Sequence, residues 1–184
     1  MTIEKLTHEF FARNPQTVAK ELLGGYASYL VRVFDSGKKV RGRIVEIASY
    51  SGTAGKRTSK GIMAAPGIIT VSTKYGNHLM DIATGKEGEY SCITLRAALF
   101  EWGDIKSLVD GPGRLCKALQ IDTGLNNLSI NNQKLWIEAE KGKYNIEEIG
   151  KNTDNCRGIY RLEGITDKEN TTLPFAEKKN NGTV

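Results

Sequence analysis

Three cysteines, two histidines and one strand-like stretch are where this sequence could hold chemistry. Cys92, Cys116 and Cys156 are far apart and odd in number, which suits neither a disulfide framework nor metal-type pairing. With only His8 and His78 besides, no zinc set assembles by spacing. No metal or cofactor is therefore expected. Three reduced thiols fit a cytoplasmic setting. There remains the stretch Val40 to Gly52, VRGRIVEIASYSG. It runs basic, then apolar, then reaches Ala48 and Tyr50 just before a glycine-rich segment. That is the pattern of a buried strand delivering side chains to a pocket at its end. Glu46 and Ala48 lie two residues apart, on one strand face and about 6.6 Å from each other.

Positioning such a strand needs a core, and 184 residues with 39% hydrophobic content supply one. A charged fraction of 26% is ordinary for a globular chain. One domain over 1–184 is expected, with a polar tail from about Leu173 that should fray. The net charge of +5 favours anionic partners, nucleic acid or nucleotides first. No apolar run approaches the ~20 residues that span a bilayer, so no membrane association is expected. Glu4, His8 and Glu9 make the N-terminus unlike a signal peptide.

Along the chain, Asn14-Pro15 predicts a helix start, asparagine capping free amides and proline suiting the first turn. Val18, Leu22 and Leu23 give it one apolar face, and Gly24-Gly25 ends it. Tyr26 to Phe34 reads as a strand, Asp35 to Gly37 as a turn, and Val40 to Gly52 as its hairpin partner. Ser51 to Gly61 reads as a loop. Ile68 to Thr73 and His78 to Ala83 read as strands around a tight turn at Lys74 to Asn77, and Tyr90 to Leu99 as another strand. Ile105 to Val109 is expected as a short helix, and Gly111-Pro112-Gly113 opens a stronger one carrying Leu115, Cys116 and Leu119. Leu135 to Ala139 and Tyr144 to Ile149 are expected to pair as a hairpin about Glu140 to Lys143. The sum is an α+β domain with a curved, mostly antiparallel sheet and flanking helices.

Several of these segments together resemble the alkyladenine (3-methyladenine) DNA glycosylase family of base-excision repair enzymes. The likeness runs through Ala19-Lys20-Glu21-Leu22-Leu23-Gly24, Arg43-Ile44-Val45-Glu46, Tyr50, Gly61-Ile62-Met63 and Pro66-Gly67. It continues at Tyr75-Gly76, Leu95-Arg96-Ala97, Gly111-Pro112 and Leu115-Cys116-Lys117-Ala118-Leu119. A weaker echo follows at Arg157-Gly158-Ile159 and Leu173-Pro174-Phe175. No single motif is specific; the ordered set is. The family flips a damaged purine out of DNA and cleaves its N-glycosidic bond with an activated water. By resemblance, Tyr75 falls where the family inserts a tyrosine into the duplex. Tyr50 falls on one wall of the base slot, and Arg96 beside the reaction centre and a phosphate.

The departures bear on activity. Where the family pattern reads Glu-x-Glu-Ala-Tyr, this chain reads Glu46-Ile47-Ala48-Ser49-Tyr50. Ala48 stands at the position of the water-activating glutamate. A methyl accepts no proton, and general-base help is worth on the order of 10²–10⁴ in rate. Between Tyr50 and Gly61 there is no histidine to match the family's Ala-His-Ser element. Ser72 stands where the family has a second stacking tyrosine, and Asp81 near its guanine-discriminating asparagine. Glu46 and Asp81 are the candidate substitute bases. From these residues the leading expectation is a non-catalytic binder of a purine-containing ligand, a free adenine-type nucleotide that it sequesters. Its binding set is Tyr50, Arg96, Asp81, Ser72, His78 and Glu46. The alternatives are an alkylpurine DNA glycosylase impaired by Ala48, and a non-catalytic binder of damaged duplex DNA with Tyr75 as wedge.

Overall fold

The computed structural model describes residues 3–52, 63–102, 105–151 and 155–165. Of the loop expected from Ser51 to Gly61, Ser51 and Gly52 are instead the end of a strand; the rest of it and the tail from Leu173 lie outside these residues. Among the described residues, ten strands form one antiparallel sheet. In chain order they are β1 (Glu4–Lys5), β2 (Tyr26–Val33), β3 (Lys39–Gly52), β4 (Ile69–Lys74), β5 (Asn77–Ala83), β6 (Tyr90–Trp102), β7 (Ile105–Asp110), β8 (Leu135–Lys141), β9 (Ile146–Gly150) and β10 (Cys156–Leu162). Three helices accompany them: α1 (His8–Phe11), α2 (Pro15–Lys20) and α3 (Pro112–Ala118). The α+β class and the curved antiparallel sheet expected from the sequence are what the chain forms.

β3 is the trunk. One of its edges pairs with β6 from Gly42↔Phe100 to Gly52↔Tyr90. The other edge is shared, with β2 taking residues 39–43 and β10 taking residues 46–50. The strand order is β1-β8-β2-β3-β6-β5-β4, with β7 on β6 and β9 on β10. The β3–β6 register is irregular at Ile44, Glu46 and Ile47. Ile44, Val45 and Ile47 are all core residues, so a bulge here turns Glu46, Ala48 and Tyr50 away from the core. Before the bulge, Gly42 lies flat under Phe100; a Cβ at this position would lie 2.4 Å from the ring. Only glycine fits there.

The core fills the other face. Phe11, Val18, Leu22, Leu23, Leu115 and Leu119 come from the helical segments and pack against Leu30, Ile47, Ile82, Ile93 and Phe100. At the start of α2 the Asn14 side chain accepts from Gln16 N at 2.9 Å and Pro15 takes the first turn, as the cap pattern predicts. The helix widens into a π turn at Glu21–Gly25 before β2 begins.

Two local expectations are corrected. Ile105–Asp110 is a strand, not a short helix. It folds back on β6 from Ala97↔Asp110 to Trp102↔Ile105 and buries Ser107, Leu108 and Val109. An open sheet edge outweighs the weak propensity of five residues. Nor do Leu135–Lys141 and Ile146–Gly150 form a hairpin: β8 pairs with β1 and β2, and β9 with β10. The amides of Gly142 and Tyr144 donate to the carbonyls of Gly25 and Gly24. That crossing ties the connection to the π turn and carries the chain to the far side of β3. β10 itself has no clear signature in the sequence beyond the Arg157-Gly158-Ile159 echo.

Candidate functional site

The face opposite the core is organised by rows across the sheet. Thr70 pairs with Asp81, Asp81 with Thr94, Thr94 with Ala48, and Ala48 with Ile159. Cross-strand partners point to the same side, so these five residues form one line over five strands. In the next row Tyr50 lies between Cys92 and Cys156. Ala48 is fully buried and packs with Cys156, Ile159 and Tyr50 in a small apolar cluster of its own. Its methyl occupies the middle of the face and offers nothing to a water.

One row along, in the other direction, Glu46 is 1% exposed and doubly held. Arg96 Nε donates to its Oε1 at 2.5 Å and Arg161 Nε to its Oε2 at 2.6 Å. Arg161 also donates to Asp110 Oδ2 at 2.8 Å. The network knots β3, β6, β7 and β10 together. Both of its carboxylate oxygens are thus taken up by guanidinium donors in charge-assisted hydrogen bonds. Glu46 therefore holds the site's frame rather than offering a free base. Arg161 and Asp110 are absent from the residues singled out by sequence. Their one signal is that a buried glutamate on a strand needs a cation from a neighbour.

Asp81 has a different environment. It is buried, and the Thr94 hydroxyl donates to its Oδ1. Among the described residues no ion pair reaches it. Burial raises its pKa from 3.8 to about 6, the Thr94 hydrogen bond opposing that rise in part. Beside it, Thr70 Oγ1 is buried without a hydrogen-bond partner. Cys92 and Cys116 stay protonated thiols. Burial pushes the Cys92 pKa well up, and that of Cys116 to about 12, with Asp81 adding to both. All three cysteines are free and buried.

β4 and β5 continue past this face to the turn Tyr75-Gly76. Both central residues have positive φ, +50° and +74°, the two-residue geometry whose twist matches paired strands. Tyr75 is 92% exposed at the tip. Asn77 Nδ2 donates to Tyr75 O at 3.1 Å, and α3 backs the turn, since a Cβ on Gly113 would lie 3.1 Å from that of Asn77. Ser72 alternates with Thr70 and so faces the site, half-buried. His78 is on the opposite face, the side of Met80 and Ile82, with Nδ1 3.2 Å from Thr73 Oγ1. The fold thus gathers Tyr50, Asp81, Glu46, Arg96 and Ser72 on one face, sets Tyr75 at its rim, and leaves His78 outside. Beyond Tyr50, where β3 ends, an open groove of about 770 Å³ runs between Arg13, Ser51, Lys86, Tyr90 and Arg157.

The model of the methylpurine-DNA glycosylase family matches residues 9–180. A protein of Legionella pneumophila (strain Lens), provisionally named a 3-methyladenine DNA glycosylase, is 35% identical over 159 residues, covering 81% of this chain and 84% of its own. One of Desulfitobacterium hafniense (strain Y51) with the same provisional name is 32% identical over 168 residues, covering 75% and 81%. A third, of Alkaliphilus oremlandii (strain OhILAs), is 30% identical over 175 residues, covering 79% and 84%. These names concern DNA glycosylases. The expectation of a sequestered free nucleotide gains nothing from them, and the glycosylase alternative does.

Proposed function

We propose, from the premise that this chain belongs to the methylpurine-DNA glycosylase family, that it recognises alkylated purines in duplex DNA and hydrolyses their glycosidic bond only slowly. The observation that carries this reading is the Ala48 methyl, buried at the centre of a face that otherwise keeps a ring, a buried carboxylate and an arginine–glutamate frame. Tyr50 offers a surface on which a flipped purine stacks. Arg96, anchored by Glu46 through Nε, keeps its guanidinium at the face. Tyr75 enters the duplex where the damaged nucleotide leaves it.

Hydrolysis needs a water that loses a proton as it attacks the sugar carbon. Ala48 takes no proton, and Glu46 is committed to two guanidinium groups. Binding and flipping survive these losses because they rest on stacking, charge and shape. The chemical step is slowed by them.

The test is a titration of duplexes with and without one alkylated purine, over a range of salt, with abasic sites counted in parallel. The damaged duplex should bind more tightly, affinity should fall as salt rises, and abasic sites should accumulate slowly. Equal affinity for both duplexes would overturn lesion recognition. Rapid accumulation of abasic sites would overturn the slow chemistry.

A further inference from the structure

The two buried carboxylates on the site face differ in what neutralises them. Among the described residues, Glu46 has two guanidinium partners and Asp81 a single hydroxyl. A buried carboxylate without a cation is costly. The same row holds a second unmet group, since Thr70 Oγ1 lies on the strand paired with Asp81 and has no partner among the described residues although Thr70 is only 3% exposed. Cross-strand partners have Cβ atoms about 5 Å apart, so one ligand edge can meet both. From Tyr50 the row is two strands and two residues away, about 12 Å between Cα atoms by sheet spacings. A purine stacked on the Tyr50 ring extends toward it.

We infer that Asp81 and Thr70 form a selectivity element for cationic purines, so that this face favours N-alkylated bases carrying a formal positive charge over neutral altered bases. The inference rests on the lesion-recognition reading above. Alkylation at a ring nitrogen such as N7 of guanine leaves the base positively charged, whereas deamination leaves it neutral. An ionised carboxylate in a poorly solvated site discriminates between those two by charge alone, before any hydrogen bond is counted. Thr94 donates to one carboxylate oxygen, and among the described residues no hydrogen bond reaches the other. The Thr70 hydroxyl can donate to a ring nitrogen or carbonyl, or accept from an amino group. Glu46 contributes little to this preference, because Arg96 and Arg161 already offset its charge.

The experiment compares three duplexes at pH 7.5 by fluorescence anisotropy. One carries 7-methylguanine on a 2′-fluoro sugar, which keeps the cation and resists cleavage; one carries hypoxanthine; one is undamaged. The parent protein should bind the cationic lesion at least about tenfold more tightly than hypoxanthine, the scale expected of one close charge. Asp81→Asn keeps the size and the Thr94 contact but removes the charge. It should bring the two lesions within about threefold of each other, and its melting curve checks that it is folded. An unchanged preference in Asp81→Asn, or a parent that does not distinguish the two lesions, overturns the inference. If the parent separates neither lesion from undamaged duplex, lesion recognition fails with it. If it separates lesions from undamaged DNA but not by charge, only the Asp81 element fails.

Discussion

Glu46 and Asp81 are carboxylates buried on one face of one sheet, yet among the described residues only Glu46 has cations beside it. Glu46→Gln would leave Arg96 and Arg161 facing an amide, and breaking a buried pair on one side costs about 3 kcal/mol. A urea melt at pH 7 should show a loss of that order; a variant as stable as the parent would mean the network does not hold the face. Asp81 acts in the opposite sense. Its folded carboxyl binds a proton more tightly than the unfolded one, with a pKa of about 6 against 3.8. Its contribution to stability is thus most favourable below about pH 4 and is lost as pH rises through 6. A gap of that size corresponds to about 3 kcal/mol. Asp81→Asn should therefore be more stable than the parent at pH 7.5, by up to that amount, with the difference fading near pH 4. A difference independent of pH would contradict this. Much at this scale was legible in the sequence: Tyr50, Arg96, Glu46, Asp81 and Ser72 all reach one face. His78 did not, because alternation along β5 turns it to the side of Met80. Arg161 was missed because its role depends on a strand pairing over a hundred residues away.

At the scale of elements, the β4–β5 hairpin separates a functional tip from a structural body. Tyr75 touches little and is 92% exposed, so Tyr75→Ala should leave the melting free energy within about 0.5 kcal/mol of the parent. Its affinity for alkylated duplex should fall. Unchanged duplex affinity in a correctly folded variant would remove the wedge role. Hairpins and capped helices were readable because their signals are local: Asn14-Pro15 for α2, and Tyr75-Gly76 for the turn. β7, β8, β9 and β10 were misread or unseen for a common reason. Each is fixed by an edge elsewhere in the sheet. β2 pairs with β3 only as far as Tyr29↔Arg43, leaving the edge of β3 from Glu46 onward for β10. No local pattern in Cys156–Leu162 announces that vacancy.

In the molecule as a whole, one sheet divides the work. Its inner face carries the hydrophobic core with the helices, and its outer face carries the rows around Ala48. The division explains why the family was legible from an ordered set of short motifs: among the described residues, most of those segments lie in or beside the strands and helices that build both faces. It also bears on why the free-nucleotide reading has less support than the glycosylase one. The losses at Ala48 and Ser72 were weighed as a change of ligand, while the frame beneath them, Arg96–Glu46–Arg161, remained intact. The central claim proposed is that this face receives a damaged purine and that Ala48 is the departure that slows the chemistry. Ala48→Glu puts a carboxylate back between Thr94 and Ile159, and Ala48→Gln matches its size without the charge. Single-turnover release of an alkylated base from duplex DNA, measured side by side, tests the claim most directly. The parent and the glutamine variant should release base slowly, and the glutamate variant faster by on the order of 10²–10⁴. Rapid release by the parent, or no gain in a folded glutamate variant, would contradict it.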